Sequence, residues 1–483
     1  MRLPRPFLAL AATTLLAANA HAAPLVGIDQ SCLAPAGNPA PGSAAWQQRD
    51  TQNQYCATLR LRDQFLSPAF GFANTTQGAS LWVDQAVQQA GEPGHPHGGI
   101  TTLVPGSQAA DPFRTLRRWT DAGRGRVAPV KFDALDGAQL RGHVFIPPAS
   151  VRRPRTGYPG VVITDGSVQA YENLYFWAAE DLAEAGYMVM TYDVQGQGDS
   201  DLFPSNCPDP SSATVSCPGV PYQQNYNFYQ GAEDSLSFFL SKANPFADAL
   251  NSNRVAIAGH SLGAAAVSVV GQCDNRVKTI VAWDNLNAIT DCSGVTIPAR
   301  YRSKTLIHAP ALALTNDYLF NPQPQTTPPD PHAKDAGYKQ IAAAGLDAQI
   351  VTFRNATHLT YSYIPVVLPA NELSERMASY YTRAWLDLEL RHQASGYRRL
   401  VAKTFDASAD KHSIGAGLYD PSKADPKDPY AGNVPYTIAG IKVADAVSFY
   451  YESAYALHDP RGGDLATCVD MRASCPAKEP PTP

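Results

Sequence analysis

Residues 255–266 read VAIAGHSLGAAA, and this stretch decides the fold of the 483-residue chain. Its first four residues are apolar and predict a buried strand, whereas the small residues after Gly263 predict a helix that packs closely behind it. A Gly-x-Ser-x-Gly turn between such elements holds its serine on a strained corner, with the hydroxyl facing outward. We expect glycine at 259 and 263 because a Cβ at either position would collide with the neighbouring strand or helix. The pattern predicts a nucleophilic Ser261; the alternative is an ordinary turn whose serine caps the helix.

Short apolar runs alternate with helix-like segments on both sides of this turn. Residues 127–134 and 140–146 are predicted to form two strands joined by a hairpin turn at Asp136-Gly137. Further strands are predicted at residues 160–164, 187–192, 279–283, 311–315 and 349–353, and helices at 173–185, 227–241, 333–344 and 372–392. Apolar strands that alternate with helices indicate an α/β fold, in which helices cover both faces of a mostly parallel sheet.

The chain resembles the α/β-hydrolase superfamily from about residue 125 to residue 393. Besides the turn at Ser261, the resemblance rests on Asp165-Gly166-Ser167, which follows the third strand. It also rests on residues 193–200, DVQGQGDS, which are similar to the family's Asp-x-Arg-Gly-x-Gly-x-Ser turn, with Gln195 in place of the usual arginine. The spacing is similar to that of secreted lipase, cutinase-like and dienelactone-hydrolase-like enzymes. The resemblance implies the α/β-hydrolase fold and a serine hydrolase that needs no metal or organic cofactor.

A serine nucleophile needs a base that accepts its proton and a carboxylate that holds the tautomer of that base. In this fold the chain order is serine, acid, histidine. We expect Asp317, which follows the strand at 311–315, to be the acid; Asp284, one strand earlier, is the alternative. We expect His358, directly after the last predicted strand, to be the base. Other histidines are weaker candidates for that role: His260, His332, His412 and His458.

The oxyanion of a tetrahedral intermediate must be met by fixed hydrogen-bond donors. One donor is expected to be the backbone N–H of Leu262, the residue after the nucleophile. The resemblance implies that the second is the N–H of Ser167, in the loop after the third strand.

Residues 1–22 are typical of a secretory signal. Arg2 and Arg5 precede an apolar run at residues 7–18, and Ala20-His21-Ala22 offers small residues for cleavage. The run is too short to span a bilayer comfortably, although a membrane anchor is the alternative. The sequence therefore predicts a secreted or periplasmic protein without stable membrane insertion. Its net charge of −5 and the absence of a long basic run argue against a nucleic-acid partner.

Eight cysteines, all after residue 22, suggest disulfide bonds in an exported chain. Proximity favours four local pairs: Cys32–Cys56, Cys207–Cys217, Cys273–Cys292 and Cys468–Cys475. A zinc site is less favoured because no two cysteines are close enough to form a paired-ligand knuckle.

Four regions are predicted: a signal at 1–22, an N-terminal extension packed on the core at 23–124, a catalytic domain at 125–393, and a C-terminal extension at 394–483. His95-Pro96-His97 could suggest a metal, but we interpret this Gly/Pro-rich stretch as a solvated loop without an acidic partner. Pro-rich loops at 202–224 and 321–331 could shape a substrate pocket or simply be surface loops.

The predicted activity is hydrolysis of a small-molecule or polymeric carboxylic ester through an acyl-enzyme. Two alternatives stay open: a peptidase or amidase that uses the same triad, and a catalytically silent binding protein. Haloalkane and epoxide chemistry is disfavoured because it uses an aspartate nucleophile in this fold.

Overall fold

The computed structural model describes residues 39–65, 68–92, 94–99, 115–167, 171–204, 225–319, 324–326, 329–362, 372–410, 438–448, 452–460 and 465–472. The signal-like residues 1–22 and the cysteines at 207 and 217 lie outside these ranges. Within them, no helix combines the length and the apolar character needed to cross a membrane.

The described part of the chain contains twelve strands, of which ten form one sheet. In chain order they are β1 (His97–Gly99), β2 (Arg126–Asp133), β3 (Gln139–Ile146), β4 (Tyr158–Thr164), β5 (Met188–Tyr192), β6 (Gly198–Asp201), β7 (Leu250–His260), β8 (Val277–Trp283), β9 (Ala311–Tyr318), β10 (Ala348–Thr357), β11 (Ala454–His458) and β12 (Leu465–Cys468). The large sheet has the order β12-β11-β10-β9-β8-β7-β4-β5-β3-β2, and β1 pairs with β6 separately.

The middle of the large sheet is parallel. Strands β5, β4, β7, β8, β9 and β10 pair in parallel, whereas β2 and β3 at one edge and β11 and β12 at the other pair antiparallel. The carboxyl ends of the six parallel strands therefore meet at one edge, which is where ligands bind in open α/β sheets. This arrangement agrees with the predicted hairpin followed by strand–helix units.

Ten helices accompany these strands in the described residues. They are α1 (Ala44–Phe65), α2 (Pro68–Gly91), α3 (Leu116–Asp121), α4 (Phe176–Glu184), α5 (Asn225–Phe239), α6 (Leu262–Cys273), α7 (Ala336–Ala343), α8 (Glu372–Glu389), α9 (Ala394–Leu400) and α10 (Val443–Ala446).

Helices cover the large sheet on both faces because its strands are apolar on both. In β4, Val161 and Ile163 pack into a cluster with side chains of α4 and α8. Val162, between them, points to the opposite face and packs with side chains of α5, α6 and α7. Successive side chains of a strand point to opposite faces of the sheet, so neighbours in β4 belong to different clusters.

The N-terminal region contributes two long helices that the sequence pattern did not predict. Helix α1 lies against the end of the sheet, where Tyr318 Oη in β9 donates to Asp50 Oδ1 at 3.0 Å. Arg354 Nε in β10 donates to Asn53 Oδ1 at 2.9 Å. The C-terminal region adds β11 and β12 to the sheet beside β10. The proposed boundaries at residues 125 and 393 stay predictions.

One of the four expected disulfides lies entirely within the described residues. Cys273, at the end of α6, is bonded to Cys292, as the sequence predicts. Cys56 and Cys468 are also disulfide-bonded, and the partners predicted for them lie outside the described residues. The bond at Cys273 ties α6 to the loop that follows β8.

Candidate active site

Ser261 lies on the turn between β7 and α6, in the strained conformation that its motif predicts. Its φ of +57° and ψ of −119° are rarely adopted by residues other than glycine. A Cβ on Gly259 would lie 2.4 Å from the carbonyl oxygen of Gly263, and one on Gly263 would lie 2.3 Å from that of Asp165. Both glycines are therefore required by close backbone approach, as expected, and the turn holds Ser261 at the carboxyl edge of the sheet.

His358 is the first residue after β10, and its side chain contacts Ser261. Its Nε2 lies 2.9 Å from Ser261 Oγ. The side chain is mostly buried, with 14% of its surface exposed. The expected pairing of Ser261 and His358 is thus present in the geometry.

The carboxylate that faces His358 belongs to Asp284. Its Oδ2 lies 2.7 Å from His358 Nδ1. A carboxylate only accepts hydrogen bonds, so Nδ1 carries the proton and Nε2 is left to accept the proton of Ser261. Asp284 directly follows β8 and has a φ of +41°, a conformation that aspartate tolerates better than most residues. Hydrogen-bond contacts therefore join Ser261 to His358 and His358 to Asp284.

The expectation that Asp317 is the acid is not met, because the structure does not bring Asp317 to His358. Strand β9 continues to Tyr318, so Asp317 still lies within the strand and not in a loop beyond it. Its Oδ2 accepts the backbone N–H of Asn355 at 3.1 Å, and burial raises the pKa of Asp317 to about 7. Asp317 is a buried carboxyl group between β9 and β10, and the alternative, Asp284, takes the place beside the histidine.

Asp284 has a second charged partner, Lys334, which lies just before α7. Lys334 Nζ donates to Asp284 Oδ1, while His358 occupies Oδ2. Both side chains are buried, with 5% of Lys334 and 1% of Asp284 exposed. Burial opposes ionisation of Asp284, but the Lys334 ammonium and the His358 hydrogen bond outweigh it and hold the pKa of Asp284 well below its usual range. Asp284 is therefore a carboxylate at neutral pH.

The loop after β4 lies against the serine, where the second oxyanion donor is expected. A Cβ built on Gly166 would lie 3.3 Å from Ser261 Cβ. The N–H of Gly166 already donates to Tyr175 Oη at 2.9 Å, which leaves Ser167 as the next N–H in this loop. Leu262 begins α6, whose first N–H groups have no acceptor within the helix. The assignment of Ser167 and Leu262 to an oxyanion hole stays a prediction that this placement favours.

A chain of buried hydrogen bonds joins the Gly166 loop to the histidine loop. Tyr175 Oη, which accepts from Gly166, lies 2.9 Å from His260 Nδ1. His260 Nε2 lies 2.8 Å from the carbonyl oxygen of His358. A carbonyl can only accept, so His260 carries its proton on Nε2 and accepts the phenol proton on Nδ1. Burial lowers the pKa of His260 to about 3, which keeps the ring neutral. His260, a weaker candidate for the base, therefore bridges two parts of the site instead.

The turn at residues 193–200 supports the same loop from the other side. Gln197 Nε2 donates to the carbonyl oxygen of Gly166 at 2.9 Å and to Asp165 Oδ2 at 3.2 Å. Asp193 Oδ2 accepts the N–H of Asp199 at 2.8 Å, which closes the turn. This motif acts through the loop after β4 and does not contact the serine in the described structure.

Among the described residues, three other side chains are arranged so that they could hold a metal ion. Ligand atoms of His332, Asp335 and Glu452 all lie within 4.8 Å of one another. The ammonium of Lys339 already pairs with Asp335 and lies 3.4 Å from His332 Nδ1. Since a cation occupies this group, we assign no metal to it.

The interpretation of His95-Pro96-His97 as a solvated loop without an acidic partner is wrong. His95 Nδ1 lies 2.8 Å from Asp201 Oδ2, and the side chain of His97 is only 3% exposed, with its Nε2 3.7 Å from Glu92 Oε2. The pairing of β1 with β6 brings Asp201 to this stretch from far along the chain.

Sequence reasoning missed Lys334 and Tyr175. Neither residue belongs to a motif, and each reaches the site through tertiary structure. His260 could have been noticed because it stands inside the motif, next to Ser261, where a buried imidazole needs hydrogen-bond partners.

Comparison with known proteins finds distant hydrolases. No protein-family model matches the chain. It is 30% identical over 158 residues to the thiohydrolase apmlB of Arthrinium phaeospermum, which covers 33% of this chain and 43% of that protein. It is 22% identical over 241 residues to the alpha/beta hydrolase psoB of Aspergillus fumigatus, covering 50% of this chain and 48% of the relative. It is 28% identical over 162 residues to the alpha/beta hydrolase ucsC of Acremonium sp, covering 33% of this chain and 29% of that relative.

The chain spans about half or less of the length of these curated relatives. At this low identity, their names support the α/β-hydrolase superfamily and a hydrolase, and the mostly parallel sheet is compatible with that fold. They do not resolve the cutinase-like or dienelactone-hydrolase-like subfamily.

Proposed function

We propose that the protein is a serine hydrolase that cleaves carboxylic esters through an acyl-enzyme, with Ser261 as nucleophile, His358 as base and Asp284 as acid. One observation carries this proposal: Ser261 Oγ, His358 and Asp284 are joined by contacts of 2.9 and 2.7 Å. A weak nucleophile becomes competent when an oriented base stands within hydrogen-bond reach.

The reaction follows from the protonation states in this chain. As Ser261 Oγ bonds to the ester carbonyl carbon, its proton moves to His358 Nε2, and Asp284 stabilises the imidazolium that forms. His358 then gives that proton to the leaving alcohol as the C–O bond breaks. Water then attacks the acyl-enzyme with the same proton transfers through His358. This step releases the carboxylic acid product and restores Ser261. The backbone N–H groups of Leu262 and Ser167 are proposed to hold the oxyanion in both steps.

Thioesters are a second candidate substrate class. The observation that favours them is the similarity of 158 residues to a protein named a thiohydrolase. The same triad serves either substrate, because the acyl group is transferred to Ser261 in both and only the leaving group differs. A thiol leaves more readily than an alcohol, so a thioester demands less of the protonation by His358.

One further part of the proposal, export, rests mainly on sequence. Export to the periplasm or the medium is supported by the signal-like pattern at residues 1–22, and the Cys273–Cys292 disulfide is compatible with it. A peptidase or amidase that uses the same triad, and a catalytically silent binding protein of the same fold, are the alternatives that an activity assay separates.

The test is hydrolysis of p-nitrophenyl esters of increasing acyl length and of the matching acyl thioesters, by the wild type and by Ser261→Ala. We expect turnover by the wild type and loss of nearly all of it in the variant. The ratio of ester to thioester kcat/KM then selects the substrate class. No wild-type activity on either class would refute the ester and thioester assignments, and peptide and amide substrates would be tried next. Full activity of Ser261→Ala would mean that Ser261 is not the nucleophile.

A further inference from the structure

Lys334 is a buried cation that touches the acid of the triad but neither the serine nor the histidine. Its Nζ donates to Asp284 Oδ1 and lies 3.5 Å from the carbonyl oxygen of Asn316. Lysine is almost never fully buried unless it is paired, and here the partner is the carboxylate on which His358 depends. Burial of such an ion pair costs free energy, so its position beside the triad requires an explanation.

The two carboxylate oxygens of Asp284 have different partners, an ammonium group and an imidazole. His358 takes Oδ2 and Lys334 takes Oδ1. In a triad the carboxylate stabilises the imidazolium that forms when the serine is deprotonated. The ammonium of Lys334 on the same carboxylate offsets part of that stabilisation, because it repels the imidazolium and weakens the field of the carboxylate.

We propose, on the basis of the serine hydrolase function given above, that Lys334 is a positioning residue of the triad, whose charge keeps His358 a neutral base down to a lower pH than Asp284 alone would allow. The consequence is a hydrolase whose rate is retained into mildly acidic solution. The same proposal gives Lys334 a second effect: its hydrogen bond would anchor Asp284, whose φ is +41°.

Three described groups near His358 keep one protonation state in the neutral range. The ring of His260 lies 4.7 Å from that of His358 between centroids, and burial lowers the pKa of His260 to about 3. Tyr361 lies beside His260, and burial raises the pKa of its hydroxyl well above the usual range. Asp284 is ionised, for the reasons given above. With Lys334 in place, these three described groups therefore do not account for a fall of activity on the acid side of neutrality.

Anchoring and charge can be separated by substitution. Lys334→Met removes the hydrogen bond and the charge, Lys334→Gln can still donate to Asp284 without a charge, and Lys334→Arg keeps both. Lys339→Met is the matched control, because Lys339 lies five residues on and pairs with Asp335. Its side chain is 55% exposed.

The experiment measures the rate at which a fluorophosphonate labels each variant as a function of pH, with Ser261→Ala as the blank. Labelling forms a bond from Ser261 Oγ to phosphorus and breaks the P–F bond; fluoride leaves, and the serine proton passes to His358 and then to solvent. The assay needs no knowledge of the natural substrate.

We expect the acid-side midpoint of labelling to rise by about one pH unit in Lys334→Met and Lys334→Gln. Lys334→Arg and Lys339→Met should keep the wild-type midpoint. Loss of anchoring alone lowers the rate equally at every pH, so the midpoint and not the plateau is diagnostic. Wild-type midpoints in both Lys334→Gln and Lys334→Met, with only a lower plateau, would overturn the inference while leaving the proposed function intact. Absence of Ser261-dependent labelling in the wild type would overturn both.

Discussion

The imidazole of His358 is hydrogen-bonded to Asp284, with 2.7 Å between Nδ1 and Oδ2. This contact fixes the tautomer of the proposed base and distinguishes Asp284 from Asp317, which lies on the next strand of the sheet. Both carboxyl groups are buried, but only Asp284 contacts the histidine in the described structure. The two aspartates therefore offer a matched pair of variants.

Asp284→Asn is expected to lower kcat for ester hydrolysis by roughly 10⁴-fold, because an amide at this position favours the wrong tautomer of His358. Asp317→Asn should leave kcat within about threefold of the wild type, since Asp317 contacts β10 and not the histidine. Steady-state kinetics of both variants on one p-nitrophenyl ester give the comparison. A large loss in Asp317→Asn with little loss in Asp284→Asn would restore the assignment made from sequence.

Asp317 should instead affect the pH dependence of stability. Burial raises the pKa of Asp317 to about 7 from 3.8, so the folded state binds more protons than the unfolded state between these values. Stability is therefore lost as the pH rises through this window. Between pH 5 and pH 8 the contribution is on the order of 2 kcal/mol.

Asp317→Asn removes this titration. Urea unfolding at the two pH values should show that the variant gains stability relative to the wild type on going from pH 5 to pH 8. Other buried acids titrate in both proteins and cancel in the difference. Parallel pH profiles for the two proteins would show that Asp317 titrates normally.

Tyr175→Phe tests the hydrogen-bond chain that joins the Gly166 loop to the His358 loop. The phenylalanine leaves the N–H of Gly166 without its acceptor and His260 Nδ1 without its donor. We expect kcat to fall about tenfold with KM nearly unchanged, because a loosened Gly166 loop, which carries the proposed donor Ser167, costs transition-state stabilisation more than substrate binding.

Tyr361→Phe is the control for that experiment. Tyr361 is also fully buried and packs beside His260 at 5.7 Å between ring centroids, but its hydroxyl donates to the carbonyl oxygen of Thr315. The melting temperature of Tyr361→Phe should fall as much as that of Tyr175→Phe, whereas its kcat should stay close to that of the wild type. Equal losses of kcat in both variants would mean that the hydrogen-bond chain from Gly166 to His358 has no specific role in catalysis.

The disulfide between Cys273 and Cys292 is expected to stabilise the fold without contributing to catalysis. It closes a loop with a sequence separation of 19 residues, for which chain entropy gives about 3 kcal/mol. The double variant Cys273→Ala, Cys292→Ala should therefore unfold at lower urea concentration while its kcat at 25 °C changes little. An unchanged unfolding midpoint would show that the bond adds no stability to this chain.

The central part of the fold was predictable because its signals are local. Apolar runs such as residues 255–258 and 279–283 can only be buried strands in this context, and the glycines around Ser261 mark a turn that tolerates no Cβ. The terminal regions carry weaker signals. Helix α2 has few large apolar residues, and several of them are exposed, among them Phe72 and Val87. Such a helix lacks the periodic pattern that identifies amphipathic helices.

The site was predictable only where position along a strand determines it. Ser261 and His358 follow the ends of β7 and β10, as expected. Choosing between Asp284 and Asp317 required knowing that β9 extends to Tyr318, and strand ends are the least certain part of a sequence-based assignment. Lys334 lies fifty residues from Asp284 in the chain, and no local pattern connects them.

The central claim is that Ser261 carries the acyl group during turnover, and rapid acid quench of the wild type with p-nitrophenyl acetate tests it most directly. Mass spectrometry of the digested protein should find one acetyl group on the peptide that contains Ser261, at a level that rises with the first release of p-nitrophenol. Ser261→Ala should show none. Turnover without an acyl group on Ser261, or with the group on another residue, would contradict the triad of Ser261, His358 and Asp284.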